Sequence, residues 1–395
     1  MAIEGCLTID LDRAADGAGR ASIASSRPLG LTKAFVGKSV YETVRTLPIL
    51  FSVCGVAQGV VAAQACERAL GIEAGEETQA IRQLLVLAES LREHLIRAAI
   101  DWPRFLGREA KPAELLRIMR LCEGLRQALD RERTALAVGG AASLDAARLA
   151  ADIVELDRLI EELVLGEPVA AWTARHSAAD LERWAQASVM PAQQLVQAVL
   201  ERGWADAGRA ETHFLPHLAD AELIGPLLGQ EAEDFVAAPT WDGDPKETSA
   251  LARQADNPLV RDLMRSCGSG LLTRIAARIV EIGAAPGAMT RIIEHWRERE
   301  DVEGPTHASA SGAAPGRAVA QIEAARGRLV HGVEIERDVV CRYAILAPTE
   351  WNFHARGSAA RGLGEIAGRP HETWQIADLF ITAIDPCVGY ELRVA

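Results

Sequence analysis

Aromatic side chains are scarce in this chain of 395 residues, at 5%. That scarcity speaks against a β-sandwich, whose strands draw on aromatic and β-branched residues. Closely spaced cysteines are also missing. The seven present, at positions 6, 54, 66, 122, 267, 341 and 387, are odd in number and scattered, so we expect free thiols in a reducing compartment rather than a disulfide framework. Positive charge is in deficit: the formal net charge is −13. An acidic surface repels nucleic acid and anionic lipid, and neither is an expected partner. No basic region followed by an apolar run succeeds Met1-Ala2-Ile3-Glu4-Gly5, so no signal peptide is expected. The longest apolar stretch, Leu47 to Ala65, is interrupted by Pro48, Ser52, Gln58 and Gln64. It reads as a buried helix rather than a membrane span, and a cytoplasmic location is the expectation.

What the chain does have is alanine and leucine, which favour packed helices. Small residues crowd positions 56–71 (Ala57, Gly59, Ala62, Ala63, Ala65, Ala69), which predicts a central, fully buried helix. Leucine recurs at helical spacing over 77–100, 112–137 and 143–165, and further helical stretches cover 179–202, 247–267 and 270–300. Before them, residues 5–10 and 20–24 alternate apolar and polar around the turn signal Asp16-Gly17, which predicts a hairpin. Glu303 to Arg317 is rich in Gly, Pro, Ser and Ala and reads as a loop. Beyond it, Val339–Leu346 has strand character and Asp378–Ile384 continues a short helix.

Four segments carry more than composition. Gly30 to Lys38 (GLTKAFVGK) follows the hairpin. Cys54-Gly55-Val56-Ala57 opens the small-residue helix. Glu323 to His331 (EAARGRLVH) is followed by Pro348 to Phe353 (PTEWNF). Near the C-terminus stands Asp385-Pro386-Cys387-Val388-Gly389-Tyr390. Together and in this order, these segments resemble the large subunit of [NiFe] hydrogenases, in which the second segment is Cys-Gly-x-Cys and the last is Asp-Pro-Cys-x-x-Cys. The resemblance spans nearly the whole chain, in a shorter version than typical catalytic subunits. It implies a mainly α fold: a helical bundle core with a small N-terminal β-hairpin and short β segments near the C-terminus. The chain is then one domain: a hairpin region over 1–50, a helical core over 51–300, a flexible loop over 303–317 and a metal-pocket segment over 318–395.

In that family the first cysteine of each pair is a terminal nickel ligand, and the second bridges nickel and iron. Here the first cysteines remain, as Cys54 and Cys387, and the bridging positions hold Ala57 and Tyr390. Alanine has no donor atom, and a phenol with a pKa near ~10 is a poor substitute for a soft bridging thiolate. The family's arginine before the first motif is Ser52. Its proton-transferring glutamate aligns with Thr32, and the histidine after the motif falls near Val61. The residues that hydrogen-bond the cyanides on iron are matched by Arg326 and Thr349, with Pro348 fixing the turn that presents the hydroxyl. A guanidinium is always charged and offers a rigid fork of donors to an anionic acceptor.

This pattern is similar to the HupK/HoxV family of hydrogenase maturation proteins. The resemblance implies a non-catalytic scaffold with no catalytic residues. It would bind an Fe(CN)2(CO) unit transiently, without nickel, taking it from a HypC-type chaperone with HypD and passing it to the hydrogenase large-subunit precursor. Two other readings stay open: a metal-free structural homologue, and a divergent catalytic large subunit. In the scaffold reading Cys54 and Cys387 are the metal ligands, and Cys54, ahead of a helix, is expected to have its thiol acidified by the helix dipole. The processing position of catalytic subunits aligns with Arg393, after which only Val394 and Ala395 follow, so no protease step is expected. Cys6, Cys66, Cys122, Cys267 and Cys341 read as structural. His213 and His217, near Glu211, have metal-like spacing, but Pro216 breaks the helix that would make it useful. His331 and His354 are either donors near the pocket or ordinary core histidines.

Overall fold

Alternation in the first segment folds as expected. In a computed structural model, which describes residues 5–14, 17–302, 316–369 and 371–395, Leu7, Ile9 and Leu11 point into the core from strand β1 (Cys6–Arg13). It pairs antiparallel with β2 (Gly19–Ser25). Of the turn, Gly17 sits at φ +84°, while Asp16 lies outside the described residues.

Helix α1 (Val40–Leu50) contains Pro48 and is followed, after a sharp bend of 99°, by α2 (Gly55–Leu70). Gly55 is required at that bend, because a Cβ there would stand 2.8 Å from the Pro48 carbonyl oxygen. The small residues of α2 are buried as expected. Among the described residues no single helix is long and apolar enough to cross a membrane; α1 and α2 together pass by length and composition, but they are bent against each other.

Helix α3 (Glu76–Ile96) packs on α2 and on the long Leu271–Val302 helix. It runs on through a π-turn at Arg97–Asp101. The other leucine-spaced stretches are helical with altered bounds. The second is Pro112–Leu129 rather than 112–137, and the third is Ala146–Ile160 with a π-turn to Leu165. The stretch 179–202 is two helices, Ala178–Ala185 and Pro191–Glu201. The stretch 247–267 divides into Ala250–Arg253 and Pro258–Cys267. Each division falls before a proline, which has no N–H for the preceding turn and starts a new helix at its first position.

A three-stranded antiparallel sheet, β3 (Arg317–Ala324), β4 (Gly327–Glu336) and β5 (Val339–Leu346), follows. Of these strands the sequence reading had only β5. Residues 303–315 of the expected loop lie outside the described residues, and Arg317 already belongs to β3. The sheet is covered on both faces. Ala318, Ala320 and Val333 pack toward α1 and α2, while Val319 and Val330 pack toward the Asp220–Leu228 helix. Strands buried on both faces lose the alternation that identifies a half-exposed strand. The short Pro348–Asn352 helix and the Thr373–Ile384 helix come next. Strand β6 (Gly389–Val394) then lies parallel to β1, giving a sheet ordered β2-β1-β6. The fold is mainly α with small sheets, as expected.

Candidate functional site

Cys54 closes a 3-10 turn, Ser52–Cys54, and stands immediately before α2. The expected acidification by the helix N-terminus does not occur. Glu89 of α3 already occupies that terminus, its two carboxylate oxygens accepting from the Val56 and Ala57 N–H groups at 2.9 Å each. Burial, then the neighbouring Cys387, then Glu89 push the Cys54 thiol up to about 12. The side chain of Gln58, one turn along α2, donates to Cys54 Sγ at 3.7 Å. Gln58 in turn accepts from His331 Nε2 at 2.9 Å, and His331 Nδ1 meets the Tyr343 hydroxyl at 2.8 Å. His331 is therefore a buried, neutral core histidine that steadies the residue touching Cys54. His354 accepts from the Arg356 N–H through Nδ1 and does not line the cavity.

Cys387 precedes β6 and is gripped by Thr349. The Thr349 hydroxyl oxygen accepts from the Cys387 N–H at 3.2 Å and lies 2.9 Å from its Sγ. With its oxygen serving the backbone, the hydroxyl hydrogen is free to donate to sulfur. Pro348, at the first position of the short helix, needs no N–H partner there and delivers Thr349 to Cys387.

Arg326 occupies the β3–β4 turn. Gly327, at φ +132°, passes so close to the Thr248 backbone that a Cβ would come within 2.2 Å of its carbonyl oxygen. Asn352 holds both sides of this contact, donating to the Arg326 carbonyl at 2.9 Å and accepting from the Thr248 N–H at 2.8 Å. The guanidinium itself is 5% exposed. Its Nε pairs with Asp385 at 3.3 Å and its Nη2 with Glu93 at 3.2 Å. Nη1 is buried with no hydrogen-bond partner, and a buried unpaired donor is costly unless a ligand satisfies it. Asp385 also receives Arg97 at 2.8 Å, and Arg278 stands 3.6 Å away. These cations overcome burial and hold the Asp385 carboxyl far below the usual carboxylate range.

Cys54, Cys387, Arg326 and Pro348 line one cavity of about 60 Å³, closed mainly by apolar side chains such as Phe51, Leu329 and Ile345. That is room for a few water-sized groups, the scale of one metal ion with small ligands. Thr32 is also on its wall. The two bridging positions point elsewhere. Ala57 is fully buried in helix packing, and the Tyr390 hydroxyl bonds Asp378, with Thr382 at 3.4 Å. Among the described residues no group of three or more His, Cys, Asp and Glu could hold a metal, and His213 simply meets Glu211 at 3.3 Å. Two charged residues on the cavity wall, Arg27 and Glu350, lie outside the site predicted from sequence and form an ion pair at 2.6 Å. No spacing or motif links positions so far apart in the chain.

No family model matches the chain. It is 31% identical to a hydrogenase expression/formation protein, HupK, of Bradyrhizobium diazoefficiens over 93% of this chain and 90% of that protein. It is 30% identical to HupK of Rhizobium leguminosarum biovar viciae over 99% and 97%. It is 28% identical to HoxV, named likewise, of Cupriavidus necator over 94% and 92%. Among solved structures it superposes on an NAD+-reducing [NiFe]-hydrogenase chain with a TM-score of 0.63 at 16% identity, covering 94% of this chain and 93% of that one. The Ni-Fe-Se hydrogenase of Desulfovibrio vulgaris Hildenborough gives 0.59 at 15%, covering 95% and 94%. The fold is that of the [NiFe] hydrogenase large subunit.

Proposed function

This chain belongs to the family of hydrogenase expression/formation proteins that includes HupK and HoxV, and from that premise we propose that it carries an Fe(CN)2(CO) unit as cargo between the proteins that build it and the hydrogenase that receives it. Its role lies in hydrogenase maturation. The observation that carries the finer reading is the meeting of Cys54 and Cys387, from opposite ends of the chain, in one small cavity beside a guanidinium with a free N–H.

Two thiolates and three diatomic ligands nearly complete the octahedron of a low-spin iron, and soft sulfur suits such a centre. The free Nη1 of Arg326 supplies a charge-assisted donor for a cyanide nitrogen. Thr349 does not itself line the cavity but steadies the Cys387 sulfur that does. Ala57 and Tyr390 offer no bridging sulfur, so nickel has no thiolate to share with iron. The protein then acts as a scaffold and not a catalyst.

The grip is deliberately incomplete. Loading must remove thiol protons from a buried site where the two sulfurs repel each other once charged, which weakens the hold that two thiolates alone provide. Such a site can accept cargo from a HypC–HypD complex and yield it to the large-subunit precursor, which offers more sulfur ligands.

The test is infrared spectroscopy of protein purified anaerobically from cells that contain the maturation machinery. Cyanide and carbonyl stretches are expected in the wild type and absent from Cys54→Ala and Cys387→Ala. Wild-type protein that co-purifies with its partners yet shows no such bands refutes the carrier role.

A further inference from the structure

The three-stranded sheet β2-β1-β6 brings two distant residues to one place. Leu7 of β1 pairs with Ser25, the last residue of antiparallel β2, and Cys6 pairs with Gly389, the first residue of parallel β6. Arg27, two residues past β2, and Cys387, two residues before β6, therefore emerge at the same end of the sheet. The extension past β2 is held firmly. Ser26 N–H donates to the Cys6 carbonyl at 2.9 Å, and Cys6 N–H to the Ser26 hydroxyl at 2.9 Å. Gly5, at φ +78°, packs so closely that a Cβ there would stand 2.7 Å from Arg27 Cα.

The Arg27 side chain turns into the cavity that holds both cysteines and Arg326. It is 11% exposed, and its Nη1 meets Glu350 Oε1 at 2.6 Å. Among the described residues its Nε and Nη2 have no hydrogen-bond partner. Burial works against its charge, while Cys387, Glu350 and Cys54, in that order, favour it. A half-satisfied guanidinium on the wall of an apolar cavity contributes little to stability, since desolvation offsets most of what one ion pair returns. Two spare donors beside the two sulfurs suit an anionic ligand instead.

We infer that Arg27 is a second binding residue for the cargo: with Arg326 it forms a two-guanidinium cradle around the sulfur pair, and Glu350 is the counter-ion that holds Arg27 while the cradle is empty. This rests on the carrier reading above. In that reading the iron unit is neutral, because two cyanides balance the ferrous ion, so binding by two thiolates leaves two negative charges in the cavity. Arg326 already serves Asp385 and Glu93. Arg27 has one carboxylate partner and is the cation with charge to spare. No bond is made or broken by it; it donates to cyanide nitrogen or thiolate sulfur, and these acceptors compete with Glu350 for its N–H groups.

A purely structural tie makes a different prediction. If the ion pair only fastened the N-terminal segment to the Pro348–Asn352 helix, removing either partner would have the same effect. The cradle predicts opposite effects. Wild type, Arg27→Gln, Arg27→Lys, Glu350→Gln and Cys54→Ala are purified anaerobically from cells with the maturation machinery. Each is assayed for cyanide-band intensity per protein, band position and thermal midpoint, before and after dialysis. Arg27→Gln is expected to lose about tenfold in retained bands, as for one charge-assisted hydrogen bond. Arg27→Lys should fall between it and wild type, with a shifted cyanide band. Glu350→Gln, which frees Arg27, should retain its bands longer than wild type. Equal losses in Arg27→Gln and Glu350→Gln, or no loss in Arg27→Gln, overturn the cradle while the carrier reading stands. Should Arg27→Gln fail to fold, the opposed behaviour of Arg27→Lys and Glu350→Gln decides. Absence of bands from the wild type overturns the carrier reading and the cradle with it.

Discussion

Acidification from pH 7.5 to 5 should destabilise this protein, and His331 should account for a separable share of the loss. The side chain is fully buried on β4. Its Nε2 faces the Gln58 carbonyl oxygen, which can only accept, so Nε2 carries the proton and Nδ1 accepts from the Tyr343 hydroxyl. Protonation of Nδ1 would put a donor against that hydroxyl in a fully buried site. Burial accordingly lowers the histidine to about 3. In the unfolded chain it titrates near ~6.5. The unfolded state therefore binds a proton that the folded state refuses, and stability is lost as pH falls below the unfolded value. Linkage gives a loss of about 2 kcal/mol at pH 5 and under about 0.1 kcal/mol at pH 7.5. The assay is urea unfolding of wild type and His331→Gln at both pH values. The variant is less stable at neutral pH, because its shorter side chain cannot reach both partners. Its further loss on acidification should nevertheless be smaller than that of wild type by about 2 kcal/mol. All other titrating groups are common to the two proteins and cancel in this difference. Identical losses would refute the assignment of a neutral, locked imidazole, and with it the chain of contacts from Tyr343 through Gln58 to Cys54.

Two further outcomes follow from the site. Gly327→Ala should destabilise the fold by about 3 kcal/mol or more, since the new Cβ meets a backbone oxygen at 2.2 Å and not a movable side chain; a melting temperature within a degree of wild type would contradict the turn geometry. Thr349→Val keeps the shape but removes the hydroxyl shared by the Cys387 N–H and sulfur, and should reduce retained cyanide bands about tenfold, with Thr349→Ser restoring them; equal retention in the valine variant would remove Thr349 from the site.

The parts of the site legible in the sequence were those marked by short motifs. Cys54, Cys387, Arg326 and Pro348 share one cavity, and Thr349 bonds Cys387. What could not be read was everything set by a partner from a distant segment. The Cys54 thiol is raised and not acidified because of burial first, then Cys387, then Glu89, which takes the N–H groups of α2 from another helix. Strands β3 and β4 lacked the expected alternation because helices cover both faces of their sheet. The 179–202 pattern runs through two helices because leucine spacing survives the break before Pro191. Arg27 belonged to no motif, and its partner Glu350 lies 323 positions away.

The parallel pairing of β6 with β1 has a consequence for timing. A nascent chain that has not yet reached β6 possesses Cys54 and Arg326 but lacks the strand that sets Cys387 in place. Since synthesis runs from the N-terminus and domains fold as their segments appear, the cavity is completed only once Gly389–Val394 has emerged and paired with β1. In the carrier reading proposed above, capture of the iron unit therefore waits for that pairing.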